Sequence, residues 1–212
     1  MILVGLTGGI GSGKSVVSAQ LASHGAVIVD ADAIVRQLQQ PGQEVLRQMV
    51  QRFGSEILSD SGHLDRALLA QRVFGDGKAL ADLNAIVHPA VGREMMRLID
   101  ERRNTDDVVV LDVPLLVENP RVGLSGILVV DLDAETAIER LVRQRGLTEA
   151  DARARMAKQA TRSARRATAD WIIDNSGSRL GLARQVGQAW RWMCTLPPAT
   201  QDAGRIAASR DS

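Results

Sequence analysis

The sequence is poor in the residues that mark secreted and membrane-spanning proteins. It has a single cysteine, Cys194, among 212 residues, so no disulfide can form within the chain and we expect a reducing compartment. An apolar run starts almost at the N-terminus, without the basic stretch and cleavage site of a signal peptide. No apolar run approaches the length that spans a bilayer. We therefore expect a soluble, cytoplasmic protein with no membrane partner.

Aromatic residues are equally scarce, with two Phe, three Trp and no Tyr. Proteins that hold single-stranded nucleic acid stack its bases on aromatic side chains, and this chain has few of them. The formal net charge of +1 also gives no overall attraction to a polyanion. Both features argue against a nucleic-acid partner. What the chain does have is 45% hydrophobic residues, enough for one α/β core with a small insertion.

The most specific motif in the chain is a glycine-rich phosphate-binding loop. It reads Gly8-Gly9-Ile10-Gly11-Ser12-Gly13-Lys14-Ser15, which fits G-x-x-x-x-G-K-[ST]. A strand-like apolar run, Ile2 to Thr7, precedes it, and a helical pattern from Lys14 to Ser23 follows. Strand, glycine loop and helix together are the context that the motif requires, and they argue against a glycine-rich turn that binds nothing.

The residue types of this loop explain its chemistry. Glycines let the backbone turn tightly and approach a phosphate closely, while backbone N–H groups and the helix N-terminus favour negative charge. Lys14 supplies a cation for the β- and γ-phosphates, and the Ser15 hydroxyl can ligate Mg²⁺. The motif indicates a nucleoside triphosphate, but kinases, switches and motors share it.

Two carboxylates follow the second predicted strand, Ala26 to Val29. Asp30 and Asp32 come directly after it, and ligands of parallel sheets sit beyond the carboxyl ends of strands. Asp is also a favoured N-cap, which we assign to Asp30. For Asp32 we favour chemistry, because a kinase needs a carboxylate that orients an acceptor hydroxyl and takes its proton.

About seventy mostly helical residues then separate the second strand from the third, more than one crossover requires. We predict a helical insertion there, beside the nucleotide site, where a second substrate can bind. His88 and Pro89 lie in it, one helical turn after Asn84. On the residues alone, a kinked helix with a half-buried histidine explains this pair better than a binding role.

Three further apolar runs complete a five-stranded parallel sheet flanked by helices, an α/β fold. They are Asp107 to Leu111, Ile127 to Val130 and Trp171 to Asn175. Asp112 ends the first of these runs, where it either holds a magnesium-bound water or caps the following loop.

A basic segment lies between the fourth and fifth strands. It contains nine cationic side chains, opposed only by Glu149 and Asp151: Arg140, Arg143, Arg145, Arg153, Arg155, Lys158, Arg162, Arg165 and Arg166. A solvated helix face, a nucleic-acid patch and a mobile lid over a polyphosphate all fit this pattern. Within a lid, Arg140 is the first candidate for a catalytic role because it follows a strand by one helix.

Several segments in order and register over about residues 1–193 resemble dephospho-coenzyme A kinases. They are Gly5 to Ser15, Asp30-Ala31-Asp32, Leu64-Asp65-Arg66, Val73-Phe74, Ile86-Val87-His88-Pro89, Asp112-Val113-Pro114-Leu115-Leu116-Val117-Glu118, Gln159, Ala169-Asp170 and Ile173-Asp174-Asn175. The His-Pro and Pro-Leu-Leu-x-Glu elements together are far more selective than the loop. One departure is Val16, where many members carry Thr, and we expect little effect on the chemistry.

The resemblance implies transfer of the γ-phosphate of ATP, with Mg²⁺, to the ribose 3′-hydroxyl of dephospho-coenzyme A. It implies ATP contacts from Gly9, Gly11, Ser12, Gly13, Lys14, Ser15, Val16 and Asn175. It implies acceptor contacts from Asp32, Asn84, His88 and Leu115, catalysis by Asp32, Lys14 and Arg140, and metal contacts from Ser15 and Asp112. One rival hypothesis is another small-molecule kinase, acting on a nucleoside or nucleotide. The other is a non-enzymatic nucleotide switch or a nucleic-acid-binding protein that uses the arginine cluster.

The same resemblance implies three structural parts. The nucleotide-binding core is predicted at 1–32, 104–139 and 167–194, the acceptor-binding insertion at 33–103 and the lid at 140–166. For 195–212, the Pro, Ala, Ser and charged composition predicts disorder. We expect a monomer or a weak homo-oligomer.

Overall fold

The structure is a computed structural model that describes residues 1–207. The chain divides into two units. The first comprises Met1–Val29 and the described part of Ile99–Ser212, and the second comprises Asp30–Leu98.

The first unit is built on a five-stranded sheet. Its strands are β1 (Ile2–Gly8), β2 (Val27–Asp30), β3 (Val108–Asp112), β4 (Gly126–Asp131) and β5 (Trp171–Asp174). They lie in the order β2-β3-β1-β4-β5, with β1 parallel to β3 and β4, and β4 parallel to β5. This confirms the predicted α/β fold. Because the chain runs from the central β1 to one side of the sheet and later to the other, a crevice forms at the carboxyl end of β1.

The strands are apolar along their length because both faces of the sheet are covered. All five residues of β3 are buried, and Leu3, Val4 and Leu6 of β1 are fully enclosed. Helices α1 (Lys14–Ser23) and α9 (Arg179–Met193) pack against the same core. This packing fixes the end of β1 and the start of α1, which flank the glycine loop.

Three helices follow β4 in the predicted lid region. They are α6 (Ala134–Arg145), α7 (Glu149–Met156) and α8 (Arg162–Ala167). Side-chain oxygens cap all three N-termini, on Asp133, Thr148 and Thr161. The basic segment between Thr148 and Ala169 thus forms two helices, because Thr161 caps a new helix.

The second unit is helical and has its own core. It contains α2 (Ala31–Leu38), α3 (Glu44–Phe53), α4 (Arg66–Val73) and α5 (Gly77–Asp100), with a 3₁₀ turn at Ser55–Ile57. Met49, Phe53 and Ile57 are buried in that core. Pro89 lies inside α5, which continues past it. No helix within residues 1–207 is long and apolar enough to cross a membrane.

The prediction of disorder from residue 195 is wrong for residues 195–207. The Ala199 N–H donates to Met1 O, and the Thr200 N–H donates to Gly123 O. Val122 pairs in the same way with this segment, donating to Arg205 O and accepting from Gly204 N, and Ala203 is fully buried. We call residues 197–207 the strap. Residues 208–212, also predicted as disordered, lie outside the described residues.

Candidate active site

The glycine loop joins β1 to α1 through two residues in the left-handed region. Gly11 has φ 81° and Gly13 has φ 86°, values that L side chains rarely adopt. A Cβ on Gly13 would also lie 2.3 Å from Asn175 Nδ2, and one on Gly11 would lie 2.9 Å from Ala137 O. The predicted glycines are therefore required here for both conformation and space.

Lys14 is the first residue of α1, and its side chain forms an ion pair with Asp112. Asp112 ends β3, which is hydrogen-bonded directly to β1. The carboxylate is 3% exposed and the lysine side chain 16%, so water screens this pair only partly. Two roles were predicted for Asp112, holding a magnesium-bound water or capping the following loop. The structure adds a contact that neither role includes, the ion pair with the lysine of the glycine loop.

Asn175 holds the loop from the other side. Its Nδ2 donates to Ser12 O at 2.7 Å, and its backbone N–H donates to Asp131 O at 3.0 Å. Its carbonyl accepts a hydrogen bond from Arg140 at 2.8 Å. Ser12 and Asn175 are both buried. The family resemblance implied an ATP contact for Asn175 and a catalytic role for Arg140. In the structure the Asn175 side chain contacts the loop at Ser12, and the Arg140 side chain contacts the Asn175 carbonyl.

A pocket of about 300 Å³ opens beside these residues. Gly13, Ser15, Val16, Arg140 and Asn175 contribute to its lining. Predicted ATP-binding residues from the loop and from the end of β5 thus meet around one cavity with Arg140 of α6, which was predicted as catalytic. Its position next to the loop suits the base and ribose of a nucleotide whose phosphates lie over the loop.

A second cluster, which the sequence did not indicate, forms at the end of β4. Both carboxylate oxygens of Asp131 accept from Arg162, at 2.9 and 2.8 Å, and Arg166 also pairs with it. Asp131 is 4% exposed. The hydrogen bond from Arg162 lowers the pKa of Asp131, against the opposing effect of burial. Asp131 therefore anchors α8 to the sheet.

Arg165 and Gln159 bring the predicted lid into contact with the glycine loop. A Cβ on Gly9 would lie 2.8 Å from Arg165 Nη2, and Gln159 Oε1 accepts from Ile10 N at 2.9 Å. The nine basic residues gave no means of choosing Arg165, because its approach to Gly9 depends on how α7 and α8 are joined. The preferred candidate, Arg140, is instead bonded to Asn175.

The remaining predicted residues lie after β3 and in the second unit. Leu115 is exposed in the segment after β3, where Pro114 O accepts from Thr7 Oγ1 at 3.1 Å. Asp30 caps α2, since its side chain accepts from Ala33 N, as predicted, and Asp32 is exposed in the first turn. In α5, Asn84 is partly exposed, and His88 is exposed rather than half-buried as the kinked-helix hypothesis required.

Loop, lysine, carboxylate and arginines together define a phosphate-loop phosphotransferase: a strand-loop-helix cradle for phosphates with cations next to it. A model of the dephospho-CoA kinase family matches residues 2–180. The chain belongs to the dephospho-CoA kinase family. It is therefore an ATP-dependent phosphotransferase, and it performs the last step of coenzyme A synthesis.

Two curated relatives illustrate the likeness. Over 191 residues the chain is 48% identical to the dephospho-CoA kinase of Thermobifida fusca (strain YX), covering 90% of this chain and 95% of the relative. It is 51% identical to that of Streptomyces avermitilis over 191 residues, covering 90% and 93%.

Two solved structures share the fold. A crystal structure of a Thermus thermophilus protein is 34% identical with a TM-score of 0.75, covering 89% of this chain and 95% of that one. The dephospho-CoA kinase from Campylobacter jejuni has a TM-score of 0.63 at 20% identity, covering 90% and 96%. At that identity the second comparison supports the fold alone.

Proposed function

We propose how the residues of this chain divide the work of its reaction, the transfer of the ATP γ-phosphate to the ribose 3′-hydroxyl of dephospho-coenzyme A. The observation that carries the proposal is the glycine loop with Lys14 and the buried Asp112 at the carboxyl ends of β1 and β3. This is where an open parallel sheet binds ligands. ATP lies with its phosphates over Gly11 to Ser15 and its base in the pocket beside Asn175.

Lys14 and the lid arginines balance the charge of the phosphoryl group in transit. The loose transition state spreads negative charge over three oxygens, and the protein forms no covalent bond to the phosphoryl group. Nearby cations are therefore the main means of stabilising it. Lys14 exchanges its contact with Asp112 for the phosphates. Arg140 acts through Asn175 and the loop, and its guanidinium also lines the nucleotide pocket.

The residues present fit a magnesium ion held mainly by phosphate oxygens and water. Within residues 1–207 no group of three or more His, Cys, Asp or Glu gathers as a self-sufficient metal site. Mg²⁺ in kinases commonly takes only one or two protein ligands, and here those are the exposed Ser15 hydroxyl and, through water, Asp112. When bound, the ion would neutralise charge on the β- and γ-phosphates.

The helical insertion, residues 33–103, carries the acceptor. Asp32 accepts a hydrogen bond from the ribose hydroxyl and takes its proton late in the transfer. Asn84 and His88, one turn apart on α5, and Leu115 contact the rest of dephospho-coenzyme A. The lid at 140–166 closes over the phosphates and keeps water out. We propose that the chain works in the cytoplasm as a monomer or a weak homo-oligomer.

The experiment is ADP release from the purified protein with ATP and Mg²⁺. Four conditions are compared: dephospho-coenzyme A, adenosine, nucleoside monophosphates and no acceptor. Stimulation by dephospho-coenzyme A alone is the expected result. Stimulation by another acceptor would overturn the substrate, and nucleotide binding without stimulation by any acceptor would favour a nucleotide switch. Omitting Mg²⁺ should abolish the stimulated rate.

A further inference from the structure

The link between α7 and α8 is bonded at both of its central residues. Gln159 Oε1 accepts from the backbone N–H of Ile10 at 2.9 Å. The next residue, Ala160, donates its N–H to Glu118 Oε1 at 2.6 Å, and its carbonyl accepts from Arg165. This short link therefore joins the glycine loop, the segment that follows β3, and α8.

Arg165 lies against the loop beside the same residue. Its Nη2 would be 2.8 Å from a Cβ on Gly9, the neighbour of Ile10, so a side chain there would shift the guanidinium from its present position. Burial lowers the pKa of Arg165, while Glu118 and Asp131 oppose that effect. A cation held partly away from water interacts strongly with an anion placed beside it.

The hydrogen bond to Ile10 links residues that are 149 positions apart. Backbone N–H groups of a phosphate loop usually point toward the ligand, whereas this one is committed to a side chain of the predicted lid. Gln159 thus fixes the Gly9-Ile10 end of the loop with respect to α8, which carries Arg165.

We propose that Gln159 is a positioning residue for phosphoryl transfer. It holds the Ile10 end of the loop so that Arg165 faces the phosphates that the loop binds. The inference rests on the proposed function, and Gln159 itself touches no reacting atom. Because a displaced cation stabilises developing charge less well, the loss of Gln159 should appear in turnover rather than in ATP binding.

The first test replaces the amide by an apolar group of similar size, Gln159→Leu. We expect kcat to fall about tenfold or more, while the Kd of ATP changes by less than about threefold. Gln159→Glu keeps an acceptor for the Ile10 N–H and should recover most of kcat. A wild-type kcat in Gln159→Leu, or a loss that appears only in KM, would overturn the proposal.

The second test is a double-mutant cycle of Gln159→Leu with Arg165→Ala. If Gln159 acts through Arg165, the double variant should be about as slow as the slower single variant. Losses that multiply independently would contradict the coupling. If Gln159→Leu does not fold, Gln159→Asn replaces it in the cycle. Asparagine is shorter by one methylene, so its amide oxygen lies farther from the Ile10 N–H.

The two proposals fail in different ways. A wild-type chain that does not phosphorylate dephospho-coenzyme A counts against the proposed function. A wild-type chain that does so, with Gln159 variants that match it, counts against the role of Gln159 alone.

Discussion

Asn175 shows how one buried residue connects three elements of the nucleotide site through its side chain and its backbone. Its amide reaches the loop at Ser12, its backbone N–H bonds to Asp131 in β4, and its carbonyl receives Arg140 from α6. The sequence located Asn175 at the end of the last predicted strand, and the family resemblance placed it among the ATP contacts. It could not reveal these bonds, since each depends on where distant strands end.

Truncating Asn175 should weaken nucleotide binding. In Asn175→Ala the Ser12 carbonyl loses its hydrogen bond from Nδ2, which costs about 1–3 kcal/mol for a buried polar group, whereas the backbone carbonyl that accepts from Arg140 remains. We expect the Kd of ATP to rise about tenfold or more, since 1.4 kcal/mol is a factor of ten. Isothermal titration calorimetry measures this directly. An unchanged Kd would show that the loop keeps its shape without Asn175.

The two carboxylates after β2 provide a matched pair of variants. Asp32→Asn should cut turnover severely and leave ATP affinity nearly intact, because only the proton acceptor is removed. Asp30→Asn is the control: asparagine caps a helix as well as aspartate does, so stability and turnover should stay at wild-type values. Steady-state kinetics with dephospho-coenzyme A decide the matter. A loss below about tenfold in Asp32→Asn, roughly 1.4 kcal/mol of barrier, would reject Asp32 as the base.

At the scale of the elements, α8 depends on Asp131 for its attachment. Arg162 and Arg166 are 48% and 46% exposed, whereas Asp131 is 4% exposed. The helix has only six residues and no buried side chain, so these ion pairs rather than apolar packing hold it. The sequence predicted a basic segment here. The positions of its basic residues along the chain could not show that two of the arginines pair with the same carboxylate.

Asp131→Asn should therefore lower stability in a pH-dependent way. The arginines lower the pKa of Asp131 below its ordinary value of 3.8, so the stabilisation is complete above that value and is lost as the pH falls below it. We expect a loss of about 1–2 kcal/mol at neutral pH, modest because water still reaches both arginines. Urea unfolding of both proteins from pH 7 to pH 3 measures it. A difference that stays constant over this range would contradict the assignment.

Most elements of the whole molecule could be predicted from the sequence, whereas the strap, which depends on contacts with distant parts of the chain, could not. The helix Lys14–Ser23 and the strand segments followed from the motif and from apolar runs that need burial on both faces. The strap did not, because its composition resembles a disordered tail. Its backbone groups bond to the backbone of Met1 and of residues 120–123 and accept from the side chains of Arg103 and Arg121. The composition of the strap does not encode these bonds, because the partners lie far away in the sequence.

A glycine pair tests whether the strap stabilises the first unit. Gly123 has φ 67°, and a Cβ there would lie 2.1 Å from Thr200 Oγ1 and 2.8 Å from Ala203 Cα. Gly146 has a similar φ of 63° with nothing within 4 Å. Replacing either by alanine costs about 1–2 kcal/mol for the left-handed backbone. Only Gly123→Ala also displaces the strap, so its Tm should fall further. Each additional kcal/mol lost from the free energy of unfolding should lower the Tm by about 2–4 °C.

Shortening the chain separates these two costs. In a chain that ends at residue 196 the strap is gone, and Gly123→Ala should then cost no more than Gly146→Ala. Thermal unfolding of the four variants and their two parents, with and without the strap, completes the comparison. If Gly123→Ala were equally harmful in both chain lengths, its effect would come from the backbone conformation alone, and the contact between residue 123 and the strap would not explain it.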